Sequence, residues 1–134
     1  MKIEITGKGE IQIMKKCVLL IATTMFIYSS VIKADTLEEG IAEHHKGNHA
    51  HALKLLHPIA EKGNVTAQGL LGQMYLRGKG VTRSYQKALK WCQLAANQGH
   101  VNAQANLGLM YGHGKGVDQD YHQAAKWYRL AAEL

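Results

Sequence analysis

The sequence predicts an all-α fold, an α/α superhelix (solenoid) of antiparallel helix pairs, with two full repeats and a degenerate N-terminal one. Three observations carry this. Residues 65–98 and 101–134 align without a gap at an offset of 36, and periods of about 20–50 residues belong to stacked supersecondary units rather than to one globular core. Each copy holds two apolar stripes at helical spacing. Between the stripes stands a run of loop residues, Gly78-Lys79-Gly80 in one copy and Gly114-Lys115-Gly116 in the other.

The first stripe of each pair, helix A, comes from Ala67, Leu71, Met74 and Tyr75, matched by Ala103, Leu107, Met110 and Tyr111. The second, helix B, comes from Ala88, Trp91, Leu94 and Ala95, matched by Ala124, Trp127, Leu130 and Ala131. Gly72 and Gly108 lie inside helix A, where glycine costs about 1 kcal/mol relative to alanine. Its presence in both copies predicts a close approach of another backbone, and the small alanines of helix B fit the same crossing.

The pattern Ala-x3-Leu-Gly-x-Met-Tyr-x2-Gly-x-Gly-Val, followed by Tyr-x2-Ala-x2-Trp and Leu-Ala-Ala, resembles the Sel-one-like repeat, a relative of the tetratricopeptide repeat. The resemblance covers both copies nearly completely. It implies a right-handed superhelix of antiparallel helix pairs that serves as a protein-binding scaffold.

Ahead of the repeats, Met14-Lys15-Lys16 reads as a positively charged start, Cys17 to Tyr28 as an apolar run of signal-peptide length, and Ile32-Lys33-Ala34 as a cleavage site. Residues 14–34 are therefore expected to be a signal peptide cut after Ala34, giving a periplasmic or secreted protein. Residues 1–13 carry no helical stripe and are expected to be an upstream extension, with Met14 as the native start. A spanning helix needs about 20 apolar residues, and Thr23, Thr24, Ser29 and Ser30 weaken that reading. No membrane span is expected after cleavage.

At 134 residues, 46% hydrophobic and 19% charged, the chain has an ordinary globular composition. Loss of 1–34 removes five Lys and two Glu and leaves 11 Lys and Arg against 8 Asp and Glu, a net charge of +3 rather than +6. No mature stretch interleaves basic and aromatic residues, so nucleic acid is not an expected partner.

Residues 35–64 read as the degenerate first unit with a shortened loop, because Ala52, Leu55, Ala60 and Gly63 stand 36 before Ala88, Trp91, Ala96 and Gly99. Gly47-Asn48 is its expected turn, with Gly47 ending one helix in the left-handed region and Asn48 capping the next. Pro58 lies inside the following helix and should bend or split it. Residues 65–100 form the second unit and 101–134 a third, incomplete at its C-terminal end.

Chemistry has few candidates. Ser84-Tyr85-Gln86-Lys87 matches Ser-x-x-Lys, but Ser84 aligns with Asp120 and both are good caps for helix B. No Ser-Asp-Asn or Lys-Thr-Gly element accompanies it in the mature chain. Gly-Lys-Gly lacks the spacing and the Lys-Ser/Thr of a phosphate loop. His44, His45, His49, His51 and His57 crowd the first unit, and rings such as His45 and His49 could converge at the Gly47-Asn48 corner on zinc or copper. Solvated surface histidines are the preferred reading, and no metal or cofactor is expected. Cys92 is the one cysteine left after cleavage, expected to be a packing residue rather than a nucleophile.

A non-enzymatic, exported module that binds a protein or peptide is the leading expectation. An envelope enzyme or binder acting on β-lactams or cell-wall peptide, by family analogy, and a fragment of a longer repeat protein are the alternatives. Differences between the copies locate the binding face. Thr66, Leu70, Gln73 and Arg77, with Asn102, Asn106, Leu109 and His113, form one stripe on helix A at i, i+4, i+7 and i+11. The resemblance places helix A on the concave surface, and mixed amides with two Leu and one Arg suit an extended peptide. The last helix repeats the apolar pattern of an internal one, so self-association through the C-terminal end is also expected.

Overall fold

The computed structural model describes the backbone of residues 7–133 and the side chains of residues 9–27 and 36–133. Among the described residues there are six α-helices and no strand: α1 (Gly7–Lys46), α2 (His49–Glu61), α3 (Val65–Arg77), α4 (Tyr85–Asn97), α5 (Val101–His113) and α6 (Tyr121–Ala132). The chain divides into two units, 1–35 and 36–134.

In the first unit, α1 begins at Gly7, ahead of the expected start at Met14. Nothing between Glu10 and Ile13 breaks a helix, so residues 7–13 are helical although they carry no apolar stripe. Ile11, Leu19 and Phe26 are exposed. Thr23 and Thr24 donate their hydroxyls to the carbonyls of Leu19, Leu20 and Ile21 at 2.8–3.0 Å, which satisfies polar groups inside the apolar run. No described helix is long and apolar enough to cross a membrane. The first six residues of the expected upstream extension, the side chains at the expected cut after Ala34, and Leu134 lie outside the described residues.

The second unit is a row of helical hairpins. Helix A pairs with helix B inside each repeat (α3 with α4, α5 with α6), and helix B packs against the next helix A (α2 with α3, α4 with α5). Periodicity within each helix sets which side is buried. Ala67, Leu71 and Met74 of α3 meet Ala88 and Trp91 of α4, with Ala52, Leu56 and Ala60 of α2 on the other side. A second cluster joins Cys92, Ala95 and Ala96 of α4 to Ala103 and Leu107 of α5.

Helix ends are punctuated identically in the two full repeats. Gly78 and Gly114 close α3 and α5 at φ 68° and 63°, the left-handed region that favours glycine. Behind them the Lys79 and Lys115 amides donate to the carbonyls of Met74 and Met110 at 3.0 and 2.9 Å. At the next starts, Ser84 Oγ accepts from the Lys87 amide at 3.4 Å, and Asp120 Oδ1 from the amides of His122 and Gln123 at 2.9 and 3.0 Å. Such caps contribute about 1 kcal/mol each.

Close crossing at the buried glycines holds in one copy and changes in the other. A Cβ on Gly72 would lie 2.5 Å from Cys92 Sγ and 3.1 Å from the Cys92 backbone nitrogen, so α4 approaches with its thiol and its backbone together. At Gly108 the neighbour is the Tyr128 ring, 2.9 Å from such a Cβ. The room made by glycine is there taken by an aromatic side chain.

Two expectations for the first hairpin are corrected. Pro58 does not split α2, which runs unbroken to Glu61; the proline forfeits the one amide bond it would make to the Lys54 carbonyl, and the helix continues past it. Asn48 starts α2 without a capping side-chain bond, because its amide donates instead to Glu43 Oε2 at 2.7 Å. Glu43 also accepts from Lys46 at 2.8 Å, and these partners hold its carboxyl down at about 2.

Candidate functional site

Two helices supply the expected binding stripe. On α3, Thr66 and Arg77 are exposed while Leu70 and Gln73 are half-buried; on α5, Asn102 and His113 are exposed while Asn106 and Leu109 are half-buried. The same order of exposure recurs at all four positions because both helices present the same face to their neighbours. The two helices that carry the stripes, α3 and α5, are in contact with one another. Their residues are not equivalent in freedom. Leu70 packs against the core, and the Asn106 amide bonds the Cys92 thiol. Thr66, Gln73, Arg77, Asn102, Leu109 and His113 are the members whose chemistry is open to a ligand.

Beneath the stripe, Gln68 and Gln104 are buried. Each donates from Nε2 to the last turn of the preceding helix B, Gln68 to the Ala60 carbonyl at 3.1 Å and Gln104 to the Ala96 carbonyl at 3.2 Å. These amides join consecutive repeats with buried hydrogen bonds, each a net contribution of about 1 kcal/mol. Gln68 Oε1 is satisfied in turn by Gln98 Nε2 at 2.8 Å, whereas Gln104 Oε1 is buried without a partner among the described residues. Both glutamines are visible as matches between the copies, and only their depth reveals the role.

Asn64 and His100 also align at the offset of 36. Asn64 Oδ1 caps α3 by accepting from the Ala67 amide at 2.9 Å. His100 Nδ1 caps α5 by accepting from Ala103 at 3.2 Å. Comparing those two positions would have found the cap.

At the first corner, His44 rather than His45 meets His49, with ring centroids 4.8 Å apart. Both rings are half-buried with Nδ1 sealed from solvent and without a hydrogen-bond partner among the described residues, which corrects the expectation of solvated histidines for these two, while His45 and His51 are exposed. Burial and the nearby His49, His45 and Lys79 push the His44 pKa down. Among the described residues no three His, Cys, Asp or Glu side chains are arranged to hold a metal ion.

Ser84 and Cys92 have packing roles. Ser84 Oγ is engaged as the α4 cap. Burial pushes the Cys92 thiol up to about 12, so it stays protonated and a poor nucleophile at neutral pH.

The Sel1 repeat model matches residues 35–64, 65–100 and 101–134. Among solved structures, a Sel1 repeat protein from Oxalobacter formigenes is 37% identical with a TM-score of 0.68, over 72% of this chain and 40% of that one. The c5321 protein, described as a protective antigen of uropathogenic Escherichia coli strains displaying an SLR fold, is 34% identical with a TM-score of 0.71. That match covers 78% of this chain and 23% of the other. The chain thus spans less than half the length of these two relatives. No curated protein matches it.

Proposed function

The chain belongs to the Sel1 repeat family, a family of helical scaffolds generally engaged in protein–protein interaction, and from that premise we propose a non-enzymatic, exported module that holds an extended peptide segment of another protein. One observation carries the reading: the stripes of α3 and α5 repeat their exposure position by position on adjacent helices. Gln73 offers donors and an acceptor for a peptide backbone, Leu109 an apolar contact, and Arg77 and His113 polar ends. Export rests on residues 14–34, and periplasmic or secreted location follows from it; the mature protein should begin at Asp35 by N-terminal sequencing.

Replacing Gln73, Arg77, Leu109 and His113 together by alanine tests the face without touching the core contact of Leu70 or the Asn106 bond to Cys92. Capture of a partner from an envelope extract should be lost while the melting temperature stays nearly constant. Capture that survives with the fold intact removes the groove assignment. Self-association of a second copy through α6 belongs to the same proposal, supported by exposed Tyr121, Tyr128 and Leu130. A strictly monomeric mass by light scattering at high concentration would remove it.

A further inference from the structure

We propose that the stack is acid-sensitive at two places where repeats meet, through His100 at the junction of the second and third and through His44, against His49, at the corner of the first hairpin on which the loop after α3 is seated.

His100 is the more direct case. Its Nδ1 accepts the Ala103 amide hydrogen, so that nitrogen carries no proton and the ring is neutral with its hydrogen on Nε2. A second proton can go only to the accepting nitrogen, and it deletes the cap. The ring also lies between repeats: a Cβ on Gly69 of α3 would sit 2.5 Å from His100 Cε1. Gly69 brings no charge to the contact, and burial holds the His100 pKa below the ordinary 6.5. At the preceding junction Asn64 does the same work with an amide that does not titrate.

At the first corner the repeat register explains the chemistry. Aligning Gly47 with Gly78 and Asn48 with Ser84 puts His44 at the place of Tyr75 and His49 at the place of Tyr85. In the second repeat, Lys115 from the following loop lies 5.9 Å from the Tyr85 ring, an arrangement that an uncharged phenol welcomes. Lys79 is the counterpart of Lys115 and His49 that of Tyr85; Lys79 lies close enough to His44, the ring that meets His49, to disfavour a charge there. Gly80 seats the same loop on α2, since a Cβ there would be 2.5 Å from the His49 carbonyl carbon. The groups around His44 are His45 on its own helix, His49 on α2 and Lys79 on the loop after α3, all neutral or cationic. Glu43, the nearby carboxylate, is engaged by Lys46, Asn48 and His51 and remains ionised through mild acid. A proton added at Nδ1 would find no acceptor.

The sign follows from the lowered values. For both rings the fold favours the neutral form, so their contribution to stability is whole above pH 6.5 and is lost as pH falls through 6.5 toward the lower folded values. The phenol and amide at the equivalent places have no such transition in this range.

Substitutions borrowed from the chain itself provide the test: His100→Asn copies Asn64, His44→Tyr copies Tyr75, and exposed His122→Gln is the control. The full chain should lose roughly 5 °C of melting temperature between neutral pH and about 5. The double variant should lose much less, and the control as much as the parent. By NMR, protection of the Ala103 amide should fall as the His100 ring titrates, and in His100→Asn it should not. A parent midpoint that is flat across this range overturns the proposal, as does a double variant that falls as far as the parent. If His44→Tyr does not fold, His100→Asn alone still decides the second junction through the Ala103 amide.

Discussion

Repeats two and three carry almost the same apolar residues, yet they are buried differently. Helix α4 buries Ala88, Trp91, Cys92, Ala95 and Ala96, whereas α6 buries only Ala124. Cys92 is 0% exposed and its counterpart Tyr128 46%. The difference lies in what stands beyond: α5 covers α4, and among the described residues nothing covers α6 in the same way. Burial in a stack is thus a property of the neighbour as much as of the residue, and stability is a sum over interfaces.

The sharpest way to break this comparison is to remove its largest matched pair. Trp91 is 6% exposed in the main core and Trp127 half-buried. Trp91→Ala should cost about 3–5 kcal/mol and Trp127→Ala clearly less, read as shifts in the denaturation midpoint. Equal shifts would mean that position in the stack is irrelevant.

A smaller effect exchanges one hydrogen bond. Gln98 satisfies the buried Gln68; Leu134, which stands 36 later and outside the described residues, has no side-chain donor for Gln104. Gln98→Leu should destabilise by about 1 kcal/mol, and Leu134→Gln should stabilise by about the same or less. Urea midpoints moving in opposite directions would support the comparison; a loss in both would show that the register of the third repeat differs from that of the second.

Where the two repeats agree, the fold was legible: the glycine loop, the small residues at the crossing and the apolar stripes are periodic signals, although Leu94 and Leu130, counted in the helix B stripe, are exposed. Where a residue's job depends on a neighbour, sequence was silent. Asn48 looks like a cap by type, but Glu43 lies within reach of its amide and takes it. His45 and His49 flank the turn symmetrically in the sequence, yet helical rotation presents His44 instead. Pro58 signals a break, yet α2 continues past it to Glu61 at the loss of a single amide bond. In the stripe expected to bind, spacing alone put all eight residues on one face, but it could not show that Leu70 and Asn106 are also tied to the interior.

Native-state hydrogen exchange on the full chain tests the claim that neighbours set stability most directly. Amides in the middle of α3 and α4, flanked by packed helices on both sides, should be the slowest to exchange, and those in the middle of α6 distinctly faster despite the near-identical sequence. Equal protection across α4 and α6 would contradict a linear stack with an open last face.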